Sequence, residues 1–150
     1  MNKCEEALNQ PRPTTPPNIP IVWVVAAALL DKDGRLLIAQ RPEGKSLAGM
    51  WEFPGGKIEA SETPEYALVR ELEEELKIET RECCFTPSGF ASHRYEDFHL
   101  MMPLFICRHW KGTPIAQEGQ NLKWVKPIDL YSYPMPPADL PLIDALISMM

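Results

Sequence analysis

The sequence predicts an α+β fold, an α/β/α sandwich in which helices enclose a mixed β-sheet, and three observations carry that expectation. Two apolar runs, residues 21–30 and 35–41, flank Asp31-Lys32-Asp33-Gly34, which reads as strand, turn and strand. Residues 64–76 place Leu68, Leu72 and Leu76 four apart, the stripe of a helix that packs on a core. Residues 140–149 are apolar at helical spacing, which predicts a terminal helix on the sheet. Strands between helices of this kind give layered sandwiches.

Taken in order, residues 1–20, with the stretch PRPTTPPNIP, read as a flexible leader rich in proline, and residues 21–150 as one domain. The 21–30 run is too short to span a bilayer. Phe53-Pro54-Gly55-Gly56 reads as a strand-to-loop turn in which glycine lets backbone approach a ligand. Thr63-Pro64 is a helix start: the hydroxyl can cap free N–H groups, and proline at the first position sacrifices no hydrogen bond. Residues 90–95 and 100–110 are expected as strands around a Glu96-Asp97 turn, with Pro103 implying an edge or a bulge. Residues 121–125 add a short strand.

The 64–76 helix also carries chemistry. Glu71, Glu74 and Glu75 stand at i, i+3 and i+4 on the flank of the leucine stripe, and Ala67 one turn earlier is small enough to leave room for a ligand. Carboxylates so close repel unless a cation sits among them, and oxygen-only ligation suits Mg²⁺, with Mn²⁺ able to substitute. A solvated acidic face is the plainer account of such a run. The upstream turn favours the metal platform, because a backbone carbonyl of the glycine turn can join the metal shell. Arg70 is expected to orient Glu71 through a two-pronged hydrogen bond, and Glu62 to anchor the loop to the helix.

In order, Gly56, Glu62, Arg70-Glu71-Leu72, Glu74 and Glu75 fall at the spacing of the Nudix box, and this stretch resembles it at every position but the last, where Lys77 replaces glycine. AQRPEG at 39–44, WEFPGGKIE at 51–59, QEGQ at 117–120 and PPADLPLI at 136–143 are similar to the MutT branch of that family, and the resemblance covers about residues 21–148. It implies a mixed-sheet sandwich and an Mg²⁺-dependent diphosphatase that cuts 8-oxo-dGTP to 8-oxo-dGMP and pyrophosphate, sanitising the nucleotide pool. It implies a metal site of Gly56, Glu71, Glu74, Glu75 and Glu118, with the glycine contributing its carbonyl. Glu71 and Glu118 compete as general base. Glu118 is otherwise a solvated loop residue.

The resemblance further implies that Arg41 binds phosphates, that Phe53 lines the base pocket and that Asp139 meets the base edge. A surface strand-end arginine, ordinary core packing and a helix cap are the respective plainer roles. His93 and His99 receive no role. Two departures stand out. Lys77 lacks the freedom of glycine, which predicts altered geometry at the helix end, and Phe98 falls where relatives can carry an arginine near the sugar or phosphates.

The net charge of −6 on 150 residues excludes a general nucleic-acid binder. Cys4, Cys83, Cys84 and Cys107 show no zinc spacing and suit reduced thiols in a cytoplasmic protein. The expectation is a monomer acting on nucleoside triphosphates, without membrane or stable nucleic-acid binding. The alternatives are a relative acting on CTP or a modified dCTP and, from another class, a noncatalytic base-recognition module.

Overall fold

One strand with two buried faces organises the molecule. The computed structural model describes residues 2–16 and 18–149. In β1 (Ile21–Leu29), Val25, Ala27 and Leu29 turn to one apolar cluster, and Ala26 and Ala28 to another. This is the continuous apolar run expected of a strand covered on both sides. Helix α2 (Pro64–Leu76) covers the first face with Leu68, Leu72 and Leu76, and helix α3 (Leu140–Met149) covers the second with Leu142, Ile143 and Leu146.

Beside β1 run β4 (Gly55–Lys57), antiparallel, and β6 (His99–Cys107), parallel, with β5 (Phe85–Arg94) antiparallel to β6. This sheet is mixed, as expected. The remaining strands form a second, antiparallel sheet in the order β3 (Trp51–Glu52), β2 (Leu36–Gln40), β7 (Asn121–Val125). The two opening runs are strands joined by a turn, as read from the sequence; they pair at the Leu30–Leu36 bridge and then continue in different sheets.

Two further expectations change. The Gly55-Gly56 pair is strand, not loop: Val25 pairs with Gly56 and Ala26 with Gly55. A Cβ on Gly55 would lie 1.9 Å from the Val25 carbonyl oxygen, so glycine here admits a backbone and makes no turn. Pro103 sits in β6, between β1 and β5, not on an edge. The pairing to β1 skips Met102 and Pro103 without changing register, and the bulge lies instead on β5, between Pro87 and Gly89. A missing N–H thus interrupts the ladder locally.

Ahead of the sheet, α1 (Lys3–Leu8) is a short helix with an Asn2–Glu5 capping box and no buried residue. The sheet begins where the His99 N–H meets the Pro20 carbonyl. Among the described residues no helix is long and apolar enough to cross a membrane.

Helix α2 starts as its sequence dictates, with Thr63 Oγ1 accepting from the Tyr66 N–H at 3.2 Å and Pro64 following. Its end differs from the expectation. Lys77 adopts the left-handed conformation, φ 58° and ψ 35°, and its N–H reaches the Glu73 carbonyl, so the glycine-type geometry is retained by a residue that pays strain for it. Ala67 is fully buried in the core under α2 and leaves no room for a ligand. Lys77→Gly should therefore stabilise the fold by about 1 kcal/mol and raise Tm by roughly 2–4 °C, after the entropy of glycine is deducted. Thermal unfolding that shows no gain would mean that the backbone there is unstrained.

Candidate active site

Helix α2 crosses β4 so closely that a Cβ on Gly56 would fall 2.4–2.6 Å from the Glu71 carboxyl atoms. Only glycine leaves that space. One turn on, Glu75 accepts from the Gly55 N–H at 3.1 Å. Burial pushes the Glu75 carboxyl up to about 8, aided by the nearby charges of Glu71, Glu118 and Glu52 and opposed by the Gly55 amide. Burial also raises Glu71, against the pull of Arg70. These acids crowd one end of β4 with little positive charge to offset them.

Arg70 is committed elsewhere. Its two-pronged contact goes to Glu62, with Nε to Oε2 and Nη2 to Oε1 both 2.8 Å, and not to Glu71 as the sequence suggested. Glu71 receives a single bond from Nη1 at 2.9 Å, and the Lys57 carbonyl accepts from Nη2 at 3.0 Å. Glu62 also accepts from the Glu59 N–H, so the loop before α2 is anchored as expected, and its carboxyl is held at about 2, chiefly by Arg70. Glu74, expected on the same patch as Glu71 and Glu75, lies beside Arg70 at 3.4 Å with its side chain 57 % exposed. It does not line the cavity described next.

Glu118 reaches the site through the end of α2. The last carbonyls of a helix need partners. Here the Ile115 N–H meets the Leu76 carbonyl, while the Gln117 N–H and Gln120 Nε2 meet that of Glu75. Glu118 is exposed at the tip of this docked loop, and its charge is felt by Glu52, Glu71 and Glu75.

Between the two sheets lies a cavity of about 540 Å³. Its lining combines Gly56, Glu75, Glu118, Arg41, Lys45 and Lys57 with apolar side chains such as Phe53, Leu100 and Met102, and includes Asp139. Arg41 lines it but is engaged, with Nη1 3.2 Å from Glu52 and Nε 2.6 Å from the Ser46 carbonyl. Phe53 is 4 % exposed, a core residue that also lines the cavity. Asp139, 5 % exposed, faces the Phe53 amide; burial lifts it to about 7, with the Glu52 charge adding to the rise. Phe98, placed near the sugar or phosphates by the sequence, does line the cavity, whereas Glu52, Lys45, Lys57 and Tyr95 were missed as lining residues. Glu52 and Lys57 stood within the WEFPGGKIE stretch, and strand alternation from Ala39 and Val24 would have aimed them inward.

The donor set is all oxygen, and the space over Gly56 is one that a side chain would fill, so the residues fit a divalent cation. Glu71, Glu75 and Glu118 are the side chains able to hold it. Among the described residues no group of three acidic, histidine or cysteine side chains is already converged on a point, so binding requires rotation of these glutamates.

A model of the NUDIX domain matches residues 25–145. The chain is 41 % identical over 127 residues to the CTP pyrophosphohydrolase of Escherichia coli K12, covering 83 % of this chain and 91 % of that protein. It is 36 % identical over 135 residues to the 8-oxo-dGTP diphosphatase of Haemophilus influenzae, covering 85 % and 93 %. The solution structure of the E. coli ORF135 protein superposes with a TM-score of 0.76 at 36 % identity, covering 87 % of this chain and 91 % of that one.

The raised acids set a pH dependence of stability. Glu75, near 8 when folded against an ordinary 4.5, and Asp139, near 7 against 3.8, keep protons that the unfolded chain releases. Stability therefore falls as pH rises through that window, whereas the depressed Glu62 matters only below its ordinary 4.5. In chelator, Tm should fall between about pH 5 and about pH 8, and saturating Mg²⁺ should restore more of it at the higher pH. A flat profile, or equal Mg²⁺ effects at both ends, would count against these carboxylates as the cation site.

Proposed function

This chain belongs to the Nudix family of hydrolases, and we propose that it is an Mg²⁺-dependent diphosphatase converting 8-oxo-dGTP to 8-oxo-dGMP and pyrophosphate. One observation carries the reading: a cavity of nucleotide size whose lining combines acids and cations with apolar side chains and a protonatable carboxyl. The charged lining suits a triphosphate and the apolar lining a base.

In this reading Glu71 and Glu75 hold the metal, with Glu118 and the Gly56 carbonyl beside them and Glu74 at the outer flank. The bound cation neutralises phosphate charge and makes water a better nucleophile. Arg70 fixes Glu71 through Nη1 while its other nitrogens clamp Glu62 and the Lys57 carbonyl. With one Glu71 oxygen so engaged, Glu118 is the less committed carboxylate and the better placed to take the proton of the attacking water. Arg41, Lys45 and Lys57 receive phosphate oxygens along the polar wall. Glu75→Gln should lower kcat by roughly a hundredfold with folding intact. Chromatography of the wild-type reaction should show pyrophosphate and a nucleoside monophosphate. Near-normal turnover in the variant, or release of orthophosphate, would contradict the assignment.

Base choice rests on Asp139. A protonated carboxyl offers a donor and an acceptor side by side, as an asparagine does, and so matches O6 and N7–H of the oxidised purine. An ionised one meets O6 with like polarity. With Asp139 raised to about 7, preference for 8-oxo-dGTP over dGTP should decline as pH rises from about 6 to about 8.5. Asp139→Asn should make that ratio independent of pH, and Asp139→Ala should reduce kcat/KM for 8-oxo-dGTP by more than about tenfold. If Asp139→Ala loses only melting temperature while base ratios stand, the residue is structural. The alternative substrate, CTP or a modified dCTP, is favoured by the 41 % identity to a CTP pyrophosphohydrolase, and the same panel of kcat/KM values separates the two.

A further inference from the structure

The turn joining β5 to β6 forms a wall of the cavity that neither the acids nor Asp139 accounts for. Tyr95 and Phe98 both line the cavity, their rings stacked at 5.0 Å and 27°, with His93 set edge-on to Tyr95 at 4.7 Å. The Tyr95 N–H bonds the Phe98 carbonyl at 2.9 Å and closes the turn under the rings. Both rings are only half-buried, although the stack pins them, so each keeps open surface. Core aromatics bury that surface.

Tyr95 also has a polar reach. Its hydroxyl faces the backbone of Ala138, the residue before Asp139, and Asp139 is its electrostatic neighbour. Ala138 and Asp139 are 2 % and 5 % exposed, so the segment before α3 is packed in place, with the hydroxyl lying against it beside the Asp139 carboxyl. Further apolar lining comes from Leu100 and Met102.

We propose that Tyr95 is a specificity-determining residue: its ring, backed by Phe98, is the wall against which the nucleobase lies, and its hydroxyl, through Ala138, sets where Asp139 meets the base edge. This rests on the nucleoside triphosphate reading and deepens it. An aromatic pair stands where an arginine could have gripped the sugar or phosphates, so this wall holds by surface and not by charge. Stacking is tolerant of base identity, whereas a fixed edge contact is not, so the ring supplies affinity and the hydroxyl discrimination.

The test separates these parts. Binding of 8-oxo-dGMP, dGMP, CMP and inorganic pyrophosphate is measured by calorimetry, and kcat and KM are taken for the matching triphosphates. Tyr95→Ala should weaken monophosphate binding by roughly tenfold or more while pyrophosphate binding is unchanged. Tyr95→Phe, which keeps the ring, should retain most of the affinity but cut the ratio of kcat/KM between preferred and other bases by about fivefold, with the loss in KM more than in kcat. Equal loss of monophosphate and pyrophosphate binding in Tyr95→Ala, or an unaltered base ratio in Tyr95→Phe, overturns the inference. If the wild-type protein itself binds no monophosphate and hydrolyses no triphosphate, the diphosphatase reading fails and takes this one with it. A discriminating wild type with equally discriminating variants overturns the Tyr95 assignment alone.

Discussion

The close crossing of α2 over β4 is the contact on which the rest depends. Gly56 has no side chain where the Glu71 carboxyl lies, and Gly55 has none where the Val25 backbone lies, so a strand only three residues long is pressed between β1 and the helix. That compression brings the Gly55 N–H to Glu75 and the Lys57 carbonyl to Arg70. The helix is therefore fixed by polar contacts on the flank that carries its acids, while Leu68, Leu72 and Leu76 hold it from beneath. A methyl added at Gly55 would meet the Val25 backbone and force β4 from β1, whereas one at Gly56 would displace the Glu71 carboxyl.

The crossing concentrates unbalanced charge. Glu71 and Glu75 are taken partly out of water, and the arginine nearest them gives its two shortest hydrogen bonds to Glu62 and a single one to Glu71. Glu75, for its part, is met by the Gly55 amide. Asp139 is left in a similar position. Asp139 has only an amide to face and Glu52 for a neighbour, so burial is relieved by protonation.

Much of this was legible in the sequence, and the limits have physical reasons. Helix α2 declared itself because its cap, its proline and its leucine period all agree, and local signals suffice for local structure. Glycines at 55 and 56 read as a turn because a sequence shows their freedom but not the backbone that presses on them. Pro103 read as an edge because its lost donor was visible while the partners flanking it on both sides were not. Lys77 shows tertiary override. Ile115 and Gln117 dock on the last carbonyls of α2, and the Glu79–Lys111 bridge secures the exit, so the chain takes the left-handed turn although lysine disfavours it. Arg70 was placed on the right helix with the wrong principal partner, since Glu62 approaches it only once the loop has folded back.

Tyr95 marks the furthest reach of that tertiary logic. Nothing in the residues 92–99 distinguishes a surface hairpin from a cavity wall, and the turn itself would form wherever it were placed. Its importance comes from the β1–β6 pairing, which runs His99 beside Ile21 and so carries the hairpin to the mouth of the space between the sheets. There the ring meets Phe98 on one side and the segment leading to Asp139 on the other. The acids are set by one helix crossing one strand, whereas the lining around Asp139 is assembled from β3, the β5–β6 turn and the approach to α3. Such a lining can change through any of several segments without disturbing the acids on α2. In the proposed reading, chemistry held on a rigid crossing and selectivity held on separable walls would let one scaffold keep its reaction while exchanging its bases.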